Sequence, residues 1–453
     1  MFTFIAKTFQ GLEPILAQEL TELGANEIEI GRRMVAFSGD KEMLYRANFC
    51  LRTAVRILKP IKTFEAKNAD EIYENLKSFA WDEIFDVKNT FAVDAVTFGE
   101  DFRNSRFVTY RVKDAVVDYF MEKEGKRPNI SVANPDFYLN IHIAGTTVTL
   151  SLDSSGESLH QRGYRTGTVK APLNEILAAA MIMTSGWKGE TDFIDPFCGS
   201  GTLLIEAALI ARNIYPGVFR KHFAFEKWRD FDADLLGEIY NDDSQEREFT
   251  HHIYGYDVDA KAIAIATENV RSAGVSADVT LLRQDFADCK QPQEKSLIVT
   301  NPPYGERLKP DAIEDLYRMI GSQLKHQFVD GDAWIISSRE ELFAAMGMRP
   351  SLRVPMLNGE LECELRKYQI FGGGMKEFKT AGKNLKTDDE RRRMNDNSRK
   401  FARQSSFKKE FRDEKPREDH RTEEEKEFDR KYALLKKKHE EYERQQRRKN
   451  NKR

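Results

Sequence analysis

Apolar residues recur with two different periods along the chain. An alternating segment at residues 2–6 is followed by helical spacing of leucine and isoleucine over residues 12–23, and shorter strand and helix patterns follow. These patterns predict a small α+β unit over residues 1–60. Residues 61–155 predict a second α+β unit, because helical and strand patterns alternate there and Ala144-Gly145 supplies a turn between the last two strands.

From residue 160 to residue 375, strand-like apolar runs alternate with helical patterns. This alternation predicts a parallel sheet covered by helices on both faces. The last two strand patterns flank Asn358-Gly359, a strong hairpin sequence, so the sheet is predicted to finish with an antiparallel strand. The predicted strands are 192–194, 253–256, 280–283, 296–300 and 332–337, followed by the pair 353–357 and 361–371.

The last stretch, residues 376–453, consists mostly of charged and amide side chains. Its apolar residues are too sparse to offset the entropy of folding, so disorder is predicted. It carries 28 Lys and Arg against 18 Asp and Glu, a net charge of +10 in a chain whose total is −3. A basic tail on an acidic body is typical of a tail that contacts nucleic acid, and equally of a solvated tail with no fixed partner.

Length and composition narrow the class of protein. With 453 residues and 40% hydrophobic content, the chain is long enough for two or three domains with packed cores. No apolar run is long enough to cross a bilayer, and no signal peptide pattern is present. The four cysteines form no C-x-x-C pair, which argues against a zinc site or a disulfide framework and favours the cytoplasm. Neither a metal nor a membrane is expected as a partner.

A predicted strand runs into a glycine turn and then a helix at residues 192–212. Gly199 and Gly201 permit a tight turn and close approach of a ligand to the backbone. The helix that follows offers N–H groups to a negatively charged end of the ligand. Asp195, at the end of the strand, favours a ligand that also has an ammonium end. Leu204 stands where a dinucleotide site would place its third glycine.

Acidic residues close the next two strands. Asp257 is the predicted partner of ribose hydroxyls, whereas Asp259 is interpreted as the N-cap of the following helix. Asp285 can accept a hydrogen bond from an adenine amino group while Phe286 packs on the ring, or it can be a simple turn residue.

Residues 213–252 form an insertion, since in a compact fold the ribose acid follows the glycine turn by about 20 residues. Within it, aromatic residues are interleaved with basic ones over residues 219–231. This interleaving is typical of segments that bind RNA by stacking and charge. An aromatic mini-core packed on the sheet is the preferred interpretation.

The sequence Asn301-Pro302-Pro303-Tyr304-Gly305 follows an apolar strand. An amide, two prolines and an aromatic ring at the mouth of a strand form a rigid ledge. Such a ledge can hold a flat molecule by its face and bind an amino group at its edge. These are the requirements of an enzyme that methylates the exocyclic nitrogen of a nucleobase. A proline-rich turn is the alternative for a bare Asn-Pro-Pro.

These motifs together resemble the class I S-adenosylmethionine-dependent methyltransferases that modify amino groups, in the order Asp195-Pro196-Phe197-Cys198-Gly199-Ser200-Gly201, Asp257, Asp285 and Asn301-Pro302-Pro303-Tyr304. Three further motifs resemble those of one subgroup, the THUMP-domain RNA guanine-N2 methyltransferases. They are Gly305-Glu306-Arg307, Gln161-Arg162-Gly163-Tyr164-Arg165 and Ala171-Pro172-Leu173-Asn174-Glu175. Within that subgroup the chain is most similar to the bacterial large-subunit ribosomal RNA enzyme and its shorter relatives with a single catalytic domain. The resemblance covers residues 1–375 and is diffuse in the N-terminal half.

The resemblance implies a ferredoxin-like unit at 1–60, a THUMP RNA-binding domain at 61–155 and a Rossmann-like α/β methyltransferase domain at 160–375. It implies S-adenosylmethionine as the cofactor and structured RNA as the partner, with 23S ribosomal RNA favoured and transfer RNA possible. The implied cofactor-binding residues are Asp195, Phe197, Gly199, Gly201, Asp257, Asp285 and Phe286, with Pro172, Leu173 and Asn174 at the methionine end. Arg162, Gly163 and Tyr164 would lie close by, although phosphate contacts or linker salt bridges are the alternatives for Arg162 and Arg165.

The implied catalytic residues are Asn301, Pro302 and Tyr304. The Asn301 side-chain oxygen and the Pro302 carbonyl would accept both hydrogens of the guanine N2 amine and localise its lone pair. Tyr304 would stack on the base, which must be unpaired or flipped out of its helix.

Three other functions stay open at this point. Asn-Pro-Pro-Tyr also serves adenine-N6 DNA methyltransferases, although those need a sizeable DNA-reading domain that the chain does not offer. A THUMP methyltransferase acting on transfer RNA fits the same residues. A non-catalytic RNA-binding assembly factor is the third, against which the intact acidic and Asn-Pro-Pro-Tyr motifs argue.

Overall fold

The computed structural model describes residues 1–98, 102, 104–292, 295–304 and 310–371. The described chain forms two compact units, one from residues 1–59 and 153–371 and the other from residues 60–152. The predicted tail, 376–453, lies outside the described residues, as does the Gly305-Glu306-Arg307 sequence. None of the helices in the described part is both long enough and apolar enough to span a membrane.

The N-terminal part of the first unit is a small sheet with two helices. Its strands lie in the order β2-β3-β1-β4, and β1 pairs antiparallel with β3 and β4. Phe4 and Phe37, opposite each other on β1 and β3, are fully buried. The elements are β1 (Phe2–Lys7), α1 (Glu13–Leu23), β2 (Asn26–Gly31), β3 (Met34–Gly39), α2 (Lys41–Cys50) and β4 (Arg56–Glu65).

The second unit also combines a sheet with helices, as the sequence predicts. Strands in the order β8-β7-β5-β6 pair antiparallel between β7 and β8 and parallel elsewhere. A buried aromatic cluster around Trp81 and Phe85 fills its core. The elements are α3 (Ala69–Lys77), β5 (Thr90–Phe98), α4 (Ser105–Glu124), β6 (Asn129–Ile130), β7 (Phe137–Ala144) and β8 (Thr147–Asp153).

The larger part of the first unit is a seven-stranded sheet with the order β11-β10-β9-β12-β13-β15-β14. Its strands are β9 (Asp192–Asp195), β10 (Ile253–Asp257), β11 (Val279–Arg283), β12 (Ser296–Thr300), β13 (Asp332–Ser337), β14 (Leu352–Asn358) and β15 (Leu361–Gln369). Its helices are α5 (Glu175–Ser185), α6 (Thr202–Ala211), α7 (Ala233–Asn241), α8 (Ala260–Ser272), α9 (Pro310–Gln327) and α10 (Glu340–Ala345).

Strand direction follows the predicted pattern. The strands β9 to β13 pair parallel, and β15 runs antiparallel to both β13 and β14. The chain leaves β9 towards one side through β10 and β11, and later continues on the other side from β12. In open α/β sheets, the crevice beyond the carboxyl ends of the strands at such a reversal is the usual ligand site.

The insertion at 213–252 contains the predicted aromatic cluster, but its partner differs from the prediction. Phe225 is fully buried and stacks on Tyr45 of α2, with ring centroids 4.2 Å apart. Phe223 stacks on the other side of Phe225 at 5.2 Å. The mini-core therefore packs against α2, the second helix of the N-terminal part. The Phe223 and Phe225 rings are buried and not exposed for stacking on nucleic acid bases.

Candidate active site

The carboxyl ends of the central strands bring the predicted motifs together. Ile194 of β9 lies opposite Ile298 of β12, so Asp195 and the Thr300-Asn301 end of β12 lie at the same carboxyl edge of the sheet. The Thr300 hydroxyl donates to the Asp195 carboxylate at 2.7 Å. The glycine turn and the Asn-Pro-Pro-Tyr segment consequently start side by side, joined by a buried hydrogen bond.

The glycine turn between β9 and α6 is built as the sequence predicts. Gly199 and Gly201 both have positive φ angles, 52° and 83°, which side chains with a Cβ rarely adopt. The Gly199 N–H donates to the Asp257 carboxylate at 3.0 Å, so β10 is tied to the turn. No side chain in the described part caps the N-terminus of α6, so its first backbone N–H groups remain available at the carboxyl end of β9.

Asp195 is the buried carboxyl of this edge, with only 2% of its surface exposed. Burial raises its pKa to about 7, because the charged form loses solvation. The hydrogen bonds from Thr300 and from the Phe197 N–H favour the charged form and partly oppose this shift. A positively charged ligand group beside Asp195 would restore the ionised form.

Of the other predicted acids, Asp257 contacts the glycine turn, whereas Asp259 contacts the start of α8. Asp259 accepts from the Lys261 N–H at 2.9 Å, so its interpretation as the N-cap of α8 is confirmed. Asp285 is exposed and accepts from the Ala287 N–H at 2.9 Å. Asp285 therefore makes a turn contact, which was one of its two predicted roles; the other was binding of the adenine amino group.

Two predicted aromatic residues pack together below this edge. Phe197 is partly buried, and its ring meets that of Phe286 edge to face, with centroids 5.8 Å apart. Phe286 is buried and also stacks on Phe328 at 5.5 Å. Both rings thus support the turns that carry Asp195 and Asp285.

The Asn-Pro-Pro-Tyr segment presents a buried acceptor. The Asn301 Oδ1 atom is buried and has no hydrogen-bond partner among the described residues. Such an orphan acceptor is costly unless a ligand supplies its donor. Pro302 is buried beside it, and Tyr304 is only 8% exposed, with its ring packed in the core.

The segment preceding α5 lines a cleft of about 510 Å³. Pro172, Leu173 and Asn174 line the cleft, and Asn174 also caps α5 by accepting from the Ile176 N–H at 2.9 Å. Other lining residues come from the preceding part of the chain, among them His160, Arg162 and Arg165. The residues that the resemblance implies for the methionine end therefore border a cleft of ligand size.

Arg162 and Arg165, which line this cleft, both make ion pairs within the protein. Arg165 Nε donates to the Glu175 carboxylate at 2.8 Å, and Arg162 Nε to that of Glu206 at 3.4 Å. Both side chains of the second pair are buried. The linker salt bridge that the sequence offered as an alternative is the arrangement found.

One residue with a structural role at the site was missed from the sequence. The Asn269 side chain, buried on α8, donates to the carbonyls of Gly167 and Ser200 at 3.0 and 2.9 Å. Its oxygen accepts from the Thr166 and Gly167 N–H groups at 2.8 and 3.1 Å. Asn269 therefore clamps the 166–167 segment to the glycine turn. The only indication in the sequence is an amide on the apolar face of α8, beside Ala266 and Val270.

Family comparisons match three successive segments of the chain. The RMKL-like methyltransferase domain matches residues 162–367, the THUMP domain residues 66–153 and the RlmL ferredoxin-like domain residues 3–58. A curated relative from Synechocystis sp., "Putative RNA methyltransferase slr0064", is 38% identical over 371 residues, which are 81% of this chain and 97% of that protein. The chain belongs to this methyltransferase family.

A solved structure supports the same fold and cofactor. SMU.472, described as "a putative methyltransferase complexed with SAH", is 29% identical with a TM-score of 0.74, covering 83% of this chain and 99% of that one. The predicted fold class of the chain is confirmed. The chain is an S-adenosylmethionine-dependent methyltransferase. Among the described residues, no group of three His, Cys, Asp or Glu side chains is arranged to hold a metal ion.

A second group of curated relatives is longer than this chain. The Ribosomal RNA large subunit methyltransferase K/L of Syntrophotalea carbinolica is 40% identical over 381 residues. The match covers 81% of this chain and 53% of that protein. This family member thus spans about half the length of the K/L relatives.

Proposed function

We propose that this methyltransferase transfers the methyl group of S-adenosylmethionine to the N2 amine of a guanine in 23S ribosomal RNA. The observation that carries the chemistry is the buried Asn301 Oδ1 beside the cofactor edge of the sheet, which has no hydrogen-bond partner in the described part of the chain. The THUMP domain and the names of the relatives support RNA, and the K/L relatives support the large ribosomal subunit.

The residues of the edge fit the cofactor in charge and shape. The Asp195 carboxylate would face the ammonium group, and the N–H groups at the start of α6 would face the carboxylate. Asp257 would bind the ribose hydroxyls and Asp285 the adenine amine. Gly199 and Gly201 give the turn positive φ angles that favour glycine, and a turn of this kind would let the ligand approach the backbone. Pro172, Leu173 and Asn174 would border the methionine end, while Phe197 and Phe286 hold the turns in place.

The catalytic part would fall to three consecutive features of the Asn-Pro-Pro-Tyr segment. The bound cofactor supplies an electrophilic methyl group on its sulfonium. Asn301 Oδ1 and the Pro302 carbonyl would accept the two hydrogens of N2 and turn its lone pair towards that methyl group. Tyr304 would pack against the base, which must leave its stack to reach the segment. Because neither carbonyl oxygen is a useful base, the surplus N2 proton passes to solvent, and most of the acceleration comes from positioning.

Cofactor binding should depend on pH through Asp195. Its pKa of about 7 in the cofactor-free protein means that the carboxyl is mostly protonated below that pH. Only the charged form attracts the ammonium group, so affinity for S-adenosylhomocysteine should rise about fivefold between about pH 6 and pH 7. Calorimetric titration at both pH values measures this change.

The Asp195→Asn variant provides the control for this prediction. It should bind S-adenosylhomocysteine more weakly, with an affinity that does not vary over the same pH range. The raised pKa of Asp195 also affects folding. Because the folded protein binds this proton more tightly than the unfolded chain does, the cofactor-free protein loses stability as pH rises from 3.8 through about 7. An equal pH dependence of affinity in the wild type and in the Asn variant would refute the assignment to Asp195.

The function itself is tested with RNA substrates. Purified protein and S-adenosylmethionine are incubated with unmodified 23S ribosomal RNA, transfer RNA or DNA, followed by nucleoside mass spectrometry. N2-methylguanosine in 23S RNA alone is the expected result. N2-methylguanosine in transfer RNA alone would move the substrate to that class, and N6-methyladenine in DNA would contradict the proposed base. Cofactor binding without methylation of any substrate would favour a non-catalytic assembly factor.

A further inference from the structure

The β14–β15 hairpin holds the Asn-Pro-Pro-Tyr segment from a second direction. Glu364 of β15 lies opposite Ser337 at the end of β13, so the preceding hairpin residues extend past β13. They extend at the carboxyl edge of the parallel strands, where Asn301 also lies. Asn358, the last residue of β14, is thereby brought next to Tyr304 across 54 residues of sequence.

Two side chains of the hairpin contact the Tyr304 hydroxyl. The Asn358 Nδ2 atom donates to its oxygen at 2.6 Å, and the buried Cys363 Sγ lies 3.9 Å from the same atom. Core packing limits the position of the ring, but it is not directional. A hydrogen bond at the far end of the ring adds direction, because its strength falls steeply with angle. The long axis of Tyr304 is therefore set by Asn358.

We infer that Asn358 is a positioning residue for methyl transfer, acting through the hydroxyl of Tyr304. The inference rests on the proposed function, in which Tyr304 contacts the base and Asn301 binds its amine. Pro302 and Pro303 stiffen the segment between them, since proline fixes its backbone φ. A tilt of Tyr304 is consequently passed to Asn301, and a misplacement of about 1 Å can cost about 10²-fold in rate.

Two single variants remove this hydrogen bond from its opposite ends. Asn358→Ala and Tyr304→Phe both keep the aromatic ring, and each should lower kcat about fivefold to tenfold, as expected for one hydrogen bond. The KM for RNA and the affinity for S-adenosylhomocysteine should stay within about twofold, because ground-state binding is not affected. The double variant should be no slower than the slower single variant, since the bond is lost only once.

The conservative variant Asn358→Asp should recover most of the rate, because the tyrosine O–H can then donate to the carboxylate. Glu360→Ala, an exposed position in the turn of the same hairpin, is the matched control and should behave as the wild type. Tyr304→Phe leaves the hairpin sequence intact, so it tests the bond even if Asn358→Ala folds poorly.

The outcomes separate this inference from the function on which it rests. A wild-type kcat in Asn358→Ala and Tyr304→Phe, or additive losses in the double variant, would overturn the positioning role while the proposed function stands. Failure of the wild type to methylate any guanine would overturn both together.

Discussion

Replacing Asn301 with Ala should lower kcat by about 10²–10³-fold, the range known for removing one preorganised hydrogen-bonding group from a reacting centre. The physical reason is that Asn301 Oδ1 is the buried acceptor left without a partner among the described residues at the edge of the sheet. In the variant, the N2 hydrogens lose this acceptor and the lone pair stays delocalised in the base. The glycine turn and the acids beside it are untouched, so calorimetry should give an affinity for S-adenosylhomocysteine close to that of the wild type.

Two further variants make the Asn301 result specific. Asn301→Asp keeps an oxygen that accepts N2 hydrogens, so its rate should lie between those of the wild type and the Ala variant. Asn241→Ala removes an exposed amide at the end of α7 and should leave kcat unchanged. Single-turnover methylation of 23S RNA measures all four proteins. An Ala variant as fast as the wild type would remove Asn301 from the mechanism.

Local patterns predicted the fold where each element has its own periodicity or turn chemistry. The strands that end at Asp195, Asp257 and Thr300 are short apolar runs bounded by polar residues, and the structure places them as predicted. The Asn358-Gly359 turn and the antiparallel β15 follow in the same way.

Among the elements that were not predicted, α5 and β4 have sequences that lack such patterns. α5 is apolar on all sides, since it is buried in the core, and a helix without a polar face shows no 3.6-residue period. β4 carries Pro60 in its interior and basic residues on both sides of it, a composition that argues against a strand.

The candidate site was predictable as a set of strand ends but not as a set of contacts. Strand order and register decide that Asp195 meets Thr300, and neither is visible in a single sequence. Asn269 contacts Thr166 and Gly167, which precede it in sequence by 103 and 102 residues. Tyr304 illustrates the limit best: the motif predicts a ring that meets a base, whereas the bond to Asn358 depends on how far the hairpin extends.

The largest stability loss is expected at the buried ion pair of Arg162 and Glu206. These side chains are 1% and 0% exposed, and Glu206 also accepts from the Tyr164 hydroxyl at 3.0 Å. Replacing Arg162 with Met leaves the buried Glu206 carboxylate without the cation that is hydrogen-bonded to it, and strips donors from two backbone carbonyls, those of Leu159 and Arg52. Breaking such a pair from one side costs about 3–5 kcal/mol. Urea denaturation followed by circular dichroism measures this loss.

A second substitution isolates the charge from the lost packing. Added to Arg162→Met, the change Glu206→Gln removes the buried negative charge while its amide oxygen can still accept from Tyr164. The double variant should therefore be more stable than Arg162→Met alone, which no loss of packing can explain. Arg318→Met breaks an exposed pair with Glu314, 2.6 Å apart on α9, and should cost less than about 1 kcal/mol. If Arg162→Met were no more harmful than Arg318→Met, burial would not be what makes this pair costly to break.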